Sequence, residues 1–381
     1  MSGPGHVGAV DLVRVLTFAC VIAVHTVATI NPADSVPAGG VLMLLHFTRE
    51  AFFALTAFVL VYRYRDRLRI VPFWRRRFLL VGVPYVIWSA IYTGLGLITT
   101  PLPPTAALIQ LGRNLITGTA CYHLYFLVVT MQFYLLFPLF LWLLRVTRGW
   151  HGWLLALGAV LQAAIDTGLH VAHPSGIAGK LLGYGGSFAG GYVCYFLLGG
   201  VVALHAERAQ NWVRSHRVAV LVAVLLTGAC AEGWYLASVR GGVPILAASD
   251  VFQPVMVPWC VAITAALFTL GAEWSARRGT GLGSRVIEIS SDRSFGVFLV
   301  HPILLWAWSE GLSQWLSTSL SLLWSTVFAY IAVAAVSLLV VELLRRGPLS
   351  LALTGKRRSP AGGAVQSSLS AEPIRLGARQ V

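Results

Sequence analysis

The first apolar stretch of the chain, residues 11–28, reads DLVRVLTFACVIAVHTVA and decides the fold. It has the apolar character of a membrane helix, yet it contains Arg14 and His25. Eleven positions are about three helical turns, so both side chains return to within about 20° of one helix face, about 16 Å apart along the axis. Ionisable groups inside a membrane helix are costly and normally face the protein interior or a wet cavity. The pair is therefore a candidate functional site.

The composition of the whole chain agrees with this interpretation. Hydrophobic residues make up 57% of the 381 residues and charged residues only 11%, far below the roughly 25% charged residues of soluble domains. Apolar windows of about 20 residues predict an all-α, polytopic membrane protein with about ten transmembrane helices. The predicted helices cover residues 10–30, 41–62, 78–98, 121–144, 151–171, 188–205, 217–237, 255–273, 294–312 and 321–344.

The positions of the Lys and Arg residues predict how these helices are oriented. Of the 28 basic residues, 23 lie in the loops after even-numbered helices or in the C-terminal tail. The opposite loops hold only Arg113, Lys180 and Arg240, while Arg14 and Arg49 fall within helices. By the positive-inside rule the basic side is cytoplasmic, and both termini are expected to face the cytoplasm.

The predicted helices leave no room for a separate soluble domain, so residues 1–346 are expected to form one transmembrane domain. Residues 347–381 are rich in Gly, Ser, Ala and Arg without periodic apolar positions, and they predict a disordered cytoplasmic tail. Residues 176–200 carry many glycines, several of them paired. This region predicts close helix packing with a tight turn, or alternatively a re-entrant loop that lines a cavity.

The net charge of +14 does not indicate nucleic acid as a partner. Basic residues confined to cytoplasmic loops are explained by topology and by anionic lipid headgroups. The five cysteines all fall in predicted helices without CxxC spacing, so neither a metal site nor a disulfide is predicted. Arginine greatly outnumbers lysine, and Ala, Gly and Val are abundant. This usage is typical of a GC-rich bacterium, and we expect a multi-pass protein of a bacterial cell membrane.

His25 is the candidate catalytic base. Its proton affinity suits neutral pH, so it can take a proton from a hydroxyl that attacks an acyl carbonyl. His46, Arg49 and Glu50 stand at i, i+3 and i+4 of the next predicted helix, at about the depth of His25. Glu50 can orient the imidazole of His25 as the third member of a triad does. The alternative is that Arg49 and Glu50 form an ion pair at the outer surface.

Arginines near the cytoplasmic face are candidates for binding an anionic donor. Arg14 lies a few residues into the first helix, and Arg75, Arg76 and Arg77 precede the third. Planar guanidinium groups bind phosphate bidentately. Topology and lipid headgroups explain the run of three arginines equally well.

The candidates for an acceptor site or cavity are Arg49, His123, Tyr125 and His301. His123 and Tyr125 begin the fourth predicted helix at the outer face, where a hydroxyl substrate can meet them. An interfacial aromatic belt would also explain the tyrosine. His301 precedes Pro302, and its imidazole can simply satisfy a carbonyl that the proline kink frees.

These residues resemble a known family. Arg14, ten residues and His25 resemble the signature of the acyltransferase-3 family, bacterial integral-membrane acyltransferases that usually have ten helices. Three further stretches match, namely REAFFALTAFVLVY (49–62), YHLYFLVVTMQFYLLFPLF (122–140) and SFGVFLVHPILLW (294–306). The resemblance runs from about residue 8 to about residue 344. Two details depart from the family: Thr56, Ala57 and Phe58 replace its usual Ser-Gly-Phe, and no arginine stands between Arg77 and Pro84.

The resemblance implies O-acyl transfer from a cytoplasmic acyl-CoA, with acetyl as the default acyl group. The acceptor would be a hydroxyl of a glycan, a lipid-linked sugar or a secondary metabolite. His25 inherits the catalytic role and Arg14 the partner role, with no bound cofactor and with acyl-CoA, the acceptor and membrane lipids as partners. The alternative is a transporter that exports a small metabolite or glycan precursor. The sequence shows no internal repeat of the kind found in many transporters, which argues against that alternative.

Overall fold

The computed structural model of the protein describes residues 8–171, 175, 176, 179, 183–277, 279, 281–311 and 321–358. Regular structure in these residues is helical throughout. The first helices are α1 (Gly8–Ile30), α2 (Val36–Leu45), α3 (Thr48–Tyr64), α4 (Ile70–Arg77), α5 (Val83–Thr99), α6 (Pro104–Thr117), α7 (Tyr125–Val146) and α8 (His151–Val171). They are followed by α9 (Val193–Leu204), α10 (Ala206–Ser215), α11 (Arg217–Arg240), α12 (Ile245–Ala248), α13 (Met256–Arg277), α14 (Leu282–Gly311), α15 (Leu322–Arg346) and α16 (Ser350–Thr354).

Eight stretches of the described residues are long and apolar enough to cross a membrane. They are α1, α2 with α3, α4 with α5, α7, α8, α11, α13 and α15. The number rises to nine if α9 and α10, which are bent by 97° with the preceding turn included in α9, form one broken span. The predicted span 294–312 lies in α14, which is not among them. The all-helical, polytopic membrane fold is therefore confirmed, whereas the count of ten and the cytoplasmic termini remain predictions.

Two of the predicted helices depart from a continuous α-helix. The predicted helix 41–62 is divided between α2, which ends at Leu45, and α3, and the Nδ1 atom of His46 in the turn between them donates to the carbonyl of Ser249 at 2.7 Å. Between α4 and α5 the backbone forms a π-helical segment, Phe78–Gly82. Such segments are rare and widen the helix locally, frequently at functional sites.

Helix α1 and helix α14 pack against each other in the same direction. Arg14 contacts Ser291, and His25, eleven residues further on, stacks on His301, ten residues after Ser291. The second contact lies further towards the C-terminal end of both helices than the first. The two helix axes therefore run parallel and not antiparallel. Ten to eleven residues of helix span about 15–16 Å. Each end of the Arg14–His25 pair therefore has its own partner on α14.

Close helix packing explains part of the glycine-rich region. Gly199 on α9 lies so near α3 that a Cβ atom there would come within 1.9 Å of the Ala54 carbonyl oxygen. The ring of Phe53, next to Ala54, stacks with Phe126 of α7 at 4.6 Å between centroids and also packs against Phe196 of α9 at 5.2 Å. The glycine-rich segment before α9 forms short 3-10 turns, Gly185–Ser187 and Ala189–Tyr192. Helix α3, which carries Arg49 and Glu50, is thus fixed by backbone contact.

The first residues of the predicted tail include a short helix, α16, packed against the transmembrane helices. Helix α16 lies against α5, α14 and α15, with Ser350 fully buried and Thr354 only 2% exposed. The indole nitrogen of Trp88 donates to the carbonyl of Leu353 at 3.0 Å. The composition of the segment did not indicate this docking, because the contacts come from α5 and α14 and not from a periodic apolar face. Residues 359–381 lie outside the described residues.

Candidate active site

His25 lies on α1 in a cluster of rings. Its imidazole is 5.3 Å from that of His301 between centroids, at an interplanar angle of 29°, and 4.5 Å from the ring of Tyr122. The side chain is half-buried. The two neighbours come from α14 and from the turn before α7, so three separate parts of the chain position the predicted base.

Hydrogen bonding fixes the tautomer of His301. Its Nδ1 atom lies 3.1 Å from the carbonyl oxygen of Val297, which can only accept, so Nδ1 carries the proton. The Nε2 atom of the neutral ring is then an acceptor. It is buried and has no hydrogen-bond partner among the described residues. Buried acceptors without a partner are rare in native proteins and call for an explanation.

His123 is the third imidazole of the cluster. Its ring lies 5.6 Å from that of His301 and packs edge-on against Phe298 at 4.8 Å. It is 3% exposed, and neither of its nitrogens has a hydrogen-bond partner among the described residues. The ring of Tyr92 packs against it at 5.5 Å while the Tyr92 hydroxyl donates to the carbonyl of Leu299. Two buried imidazoles beside His25 thus have free nitrogens.

A cavity of about 650 Å³ opens beside this cluster. Tyr122, whose ring contacts His25, forms part of its wall. The glycine-rich segment contributes Tyr184 and Ser187, and the stretch before α13 contributes Asp250. The volume lies within the range of small-molecule sites. Residues 183–187 before α9 therefore contribute to the wall of a cavity, and the re-entrant loop stays a prediction.

Arg49 reaches the same cavity from the first turn of α3. Its Nη1 atom donates to the hydroxyl of Tyr125 at 3.2 Å, and its guanidinium carbon lies 4.4 Å from the ring centroid of Phe252. This is a cation–π distance. The Nη2 atom is buried without a partner among the described residues. Arg49 thus combines an anchored guanidinium with a free donor.

Glu50 has a partner other than the predicted one. Its Oε1 atom accepts from Nε of Arg49 at 2.8 Å, and the side chain is 3% exposed. The ring contacts of His25 are with Tyr122 and His301. A buried carboxylate requires a cation or several donors, and the adjacent Arg49 supplies that cation. In this structure the proposed triad of Glu50 with His25 is replaced by a pair that orients Arg49.

Arg14 lies at the other end of α1 in a polar cluster. Its Nη1 atom donates to the hydroxyl of Ser291 at 3.4 Å, and that hydroxyl donates to Asp11 at 2.9 Å. The charges of Asp292 and Arg77 also act on the guanidinium. Arg14 and His25 thus lie in two separate environments on one helix.

The three arginines of α4 differ in their environment. Arg75 and Arg76 are exposed, whereas Arg77 is half-buried. The guanidinium carbon of Arg77 lies 5.7 Å from the ring centroid of Tyr134, and its Nε atom is buried without a partner among the described residues. The run of three arginines thus separates into one residue that packs against aromatic rings inside the protein and two on the surface.

The structure assembles most of the predicted residues into two groups. His25, His123 and His301 form the ring cluster, Arg49 and Tyr125 meet at the cavity, and Arg14 lies apart from both. Residues not singled out from the sequence include Ser291, Asp250 and Phe252. They stand in polar or loop stretches far along the chain from their partners, where a single sequence carries no pairing signal. Among the described residues no group of three or more His, Cys, Asp or Glu side chains is arranged to hold a metal ion.

Comparison with known proteins adds one finding. The acyltransferase domain that defines the acyltransferase-3 family matches residues 7–342. No curated protein and no solved structure matches the chain. The match covers most of the 381 residues and includes α1 with Arg14 and His25, α3, α7 and nearly all of α14 and α15. The chain therefore belongs to the acyltransferase-3 family of membrane acyltransferases.

Proposed function

We propose that this protein is an O-acyltransferase of a bacterial cell membrane. It moves an acyl group from a cytoplasmic acyl-CoA to a hydroxyl of a glycan, a lipid-linked sugar or a secondary metabolite. The observation that carries the proposal is the position of His25, whose ring contacts Tyr122 in the wall of a 650 Å³ cavity. The cavity is large enough for a small-molecule acceptor, and in this proposal the acceptor hydroxyl extends past Tyr122 to reach the base His25.

The donor would be held at the opposite end of α1. Arg14 and the inward-facing Arg77 offer guanidinium groups that suit a phosphate, and the charge of Arg77 acts on Arg14. From there to His25 is about 16 Å along the helix, a distance that the extended pantetheine arm of CoA can cover. In this arrangement the charged part of the donor stays near the cytoplasm and the thioester reaches the ring cluster.

The reaction needs one proton transfer in each direction. His25 takes the proton of the acceptor hydroxyl as its oxygen attacks the thioester carbonyl. The tetrahedral intermediate then expels the CoA thiolate, and the imidazolium returns the proton to that sulfur. The products are an ester and free CoA, and no oxidant or metal is required. An acyl group carried on the imidazole of His25 is the alternative route.

The acceptor would bind among the polar groups of the cavity. Arg49 lines this cavity, and its buried Nη2 donor has no partner among the described residues, whereas the Nε2 atom of His301 lies buried in the ring cluster with His25 and not in the cavity wall. Tyrosine rings in the wall suit the apolar face of a sugar or of another polyol. Glu50 keeps Arg49 in position in this scheme and does not contact the reacting atoms.

The decisive assay follows free thiol release from a panel of acyl-CoAs by the purified protein, with and without hydroxyl compounds. The acetyl, propionyl, succinyl and branched-chain donors are compared with sugars and polyols as acceptors. Thiol release that depends on an acceptor is expected for the wild type. His25→Ala is expected to lower the rate by about 100-fold or more.

The matched control is His216→Ala, since His216 is exposed and stacks on Trp212 far along the chain from the cluster. The control is expected to keep the wild-type rate. If His25→Ala inserts normally and keeps a substantial fraction of the rate, the role of His25 is refuted. If labelled acceptor accumulates in vesicles that contain no acyl-CoA, the transporter alternative is favoured.

A further inference from the structure

The segment after the last long helix brings a basic residue back to the Arg14 end of α1. Helix α16 docks through the bond from Trp88 to Leu353, and the chain then turns at Gly355, whose φ is +67°. The hydroxyl of Ser350 donates to the carbonyl of Lys356 at 2.8 Å. Lys356 is thereby held against α14, where its amine pairs with the carboxylate of Asp292.

Two neighbouring residues of α14, Ser291 and Asp292, contact cations from several parts of the chain. Ser291 accepts from Arg14, and Asp292 pairs with Arg345 at the end of α15 as well as with Lys356. The charge of Arg14 also acts on Lys356. Residues separated by more than 300 positions in the sequence therefore meet in one polar cluster beside α1.

This cluster carries more positive than negative charge. In the described part of the chain, the cations that pair with Asp292 or act on Arg14 are Arg77, Arg293, Arg345 and Lys356, which with Arg14 make five, and the carboxylates are Asp11, Asp292 and Glu342, the last of which pairs with Arg293. The Nε atoms of Arg77 and Arg345 are buried and have no hydrogen-bond partner among the described residues. Buried cations in excess of their counterions are costly, and the cost is offset when an anion binds. The cluster is therefore arranged to receive an anion.

Lys356 is the most exposed of the cations that pair with Asp292. Its side chain is 34% exposed, compared with 26% for Asp292 and 12% for Arg345. Burial lowers the pKa of the Lys356 amine, and the pair with Asp292 opposes that shift. An anion that approaches from the polar end of α1 would meet Lys356 before the guanidinium groups beneath it.

We propose that Lys356 completes a phosphate site in which it binds the 3′-phosphomonoester of the acyl-CoA donor. Arg14, Arg77 and Arg345 face the pyrophosphate, and the pantetheine arm runs from there along α1 to His25. The phosphomonoester competes with Asp292 for the amine of Lys356. This inference rests on the proposed donor and adds to it a residue that lies beyond residues 7–342, the part that matches the family.

The test compares the affinities of acetyl-CoA and 3′-dephospho-acetyl-CoA for the purified full-length protein. In the wild type, removal of the 3′-phosphate is expected to weaken binding roughly ten- to hundredfold, the usual effect of losing a hydrogen bond to a charged group. Lys356→Met is expected to weaken acetyl-CoA binding by a similar factor while the dephospho ligand binds as it does to the wild type. Lys356→Arg is expected to keep most of the discrimination.

The matched control is Arg357→Met, which removes the next, exposed cation and is expected to keep wild-type affinities for both ligands. Equal loss for both ligands in Lys356→Met, or no loss for either, would overturn the inference. The same titrations in nanodiscs with and without phosphatidylglycerol identify the anion. If Lys356→Met alters affinity only when that lipid is present, the site binds a lipid headgroup and the inference fails.

The outcomes also separate the two proposals. If the wild type binds neither form of the donor, the proposed function fails together with this inference. If the wild type binds both forms equally tightly and Lys356→Met changes nothing, the acyl-CoA donor stands and only the assignment of Lys356 is lost.

Discussion

A substitution of Arg14 can separate an effect on donor binding from an effect on the acyl-transfer step. Arg14→Lys keeps the charge but loses the planar fork that binds a phosphate and the bond to Ser291. The donor KM is expected to rise roughly tenfold with little change in kcat, because the reacting atoms lie about 16 Å away. Steady-state kinetics with varied acyl-CoA measure both constants. Arg75→Lys, at an exposed position of α4, is the control, and unchanged constants in Arg14→Lys would contradict the assignment.

Substitutions of His301 test whether its Nε2 atom, which lies beside His25 and is unpaired in the described part of the chain, takes part in binding the acceptor. Asparagine can replace the Nδ1–H donor to Val297, whereas glutamine places its amide near the position of Nε2. If Nε2 binds the acceptor, His301→Gln is expected to retain several times more activity than His301→Asn, with the difference mainly in the acceptor KM. If the imidazole only satisfies the Val297 carbonyl, the order of the two variants is reversed, and their acceptor KM values are equal.

At the residue scale, the sequence singled out Arg14 and His25 as candidate functional residues but did not predict which side chains contact them. The spacing of Arg14 and His25 follows from helix geometry and needs no tertiary information. The partners Ser291 and His301 lie on a helix nearly 300 positions away, and no periodicity in a single chain links two such helices. Glu50 illustrates a local pair instead. The adjacent Arg49 contacts its carboxylate and neutralises the negative charge.

Gly199 tests how α3 is positioned at the element scale. A side chain at this site would collide with the backbone of Ala54, so Gly199→Val is expected to destabilise the protein by about 1–3 kcal/mol or more. Activity is expected to fall as well, since α3 carries Arg49. Thermal unfolding in detergent gives the comparison. Gly233→Val, on α11 where nothing lies within 4 Å of the added atom, is expected to be nearly neutral; equal unfolding temperatures for both variants would refute the close contact.

The sequence predicted the presence of the long helices better than the breaks within helices and the short helices. The windows at 151–171 and 321–344 agree with α8 and α15 within about two residues, because long apolar runs are the strongest signal in the chain. The break between α2 and α3 lies at His46, whose bond to Ser249 is a tertiary contact. Helix α6, with 14 residues, is shorter than the roughly 20 residues that a span requires, so it was missed. Docking of α16 depends on contacts with Trp88 and Asp292, which the local sequence does not encode.

The orientation of the whole molecule is predicted from its basic residues and can be measured. In a variant without the five native cysteines, single cysteines are placed at Arg67 and Thr100, both exposed and at opposite ends of the stretch from α4 to α5. The positive-inside rule predicts that an impermeant maleimide labels Thr100→Cys on intact cells and Arg67→Cys only after permeabilisation. Labelling of Arg67→Cys on intact cells would invert the topology and place Arg14 outside.

The central claim is that His25 transfers an acyl group supplied from the Arg14 side of the membrane. It is tested most directly in sealed proteoliposomes that enclose an acceptor identified in the thiol-release panel. Labelled acyl-CoA, which does not cross the bilayer, is added on one side, and the label that appears in the enclosed acceptor is measured for wild type, His216→Ala and His25→Ala.

The account predicts label in the enclosed acceptor for wild type and for His216→Ala only when acyl-CoA is added at the Arg14 side. It also predicts an approximately 100-fold or greater loss for His25→Ala. Transfer by His25→Ala at a rate close to wild type, or transfer from acyl-CoA added at the His25 side alone, would contradict it.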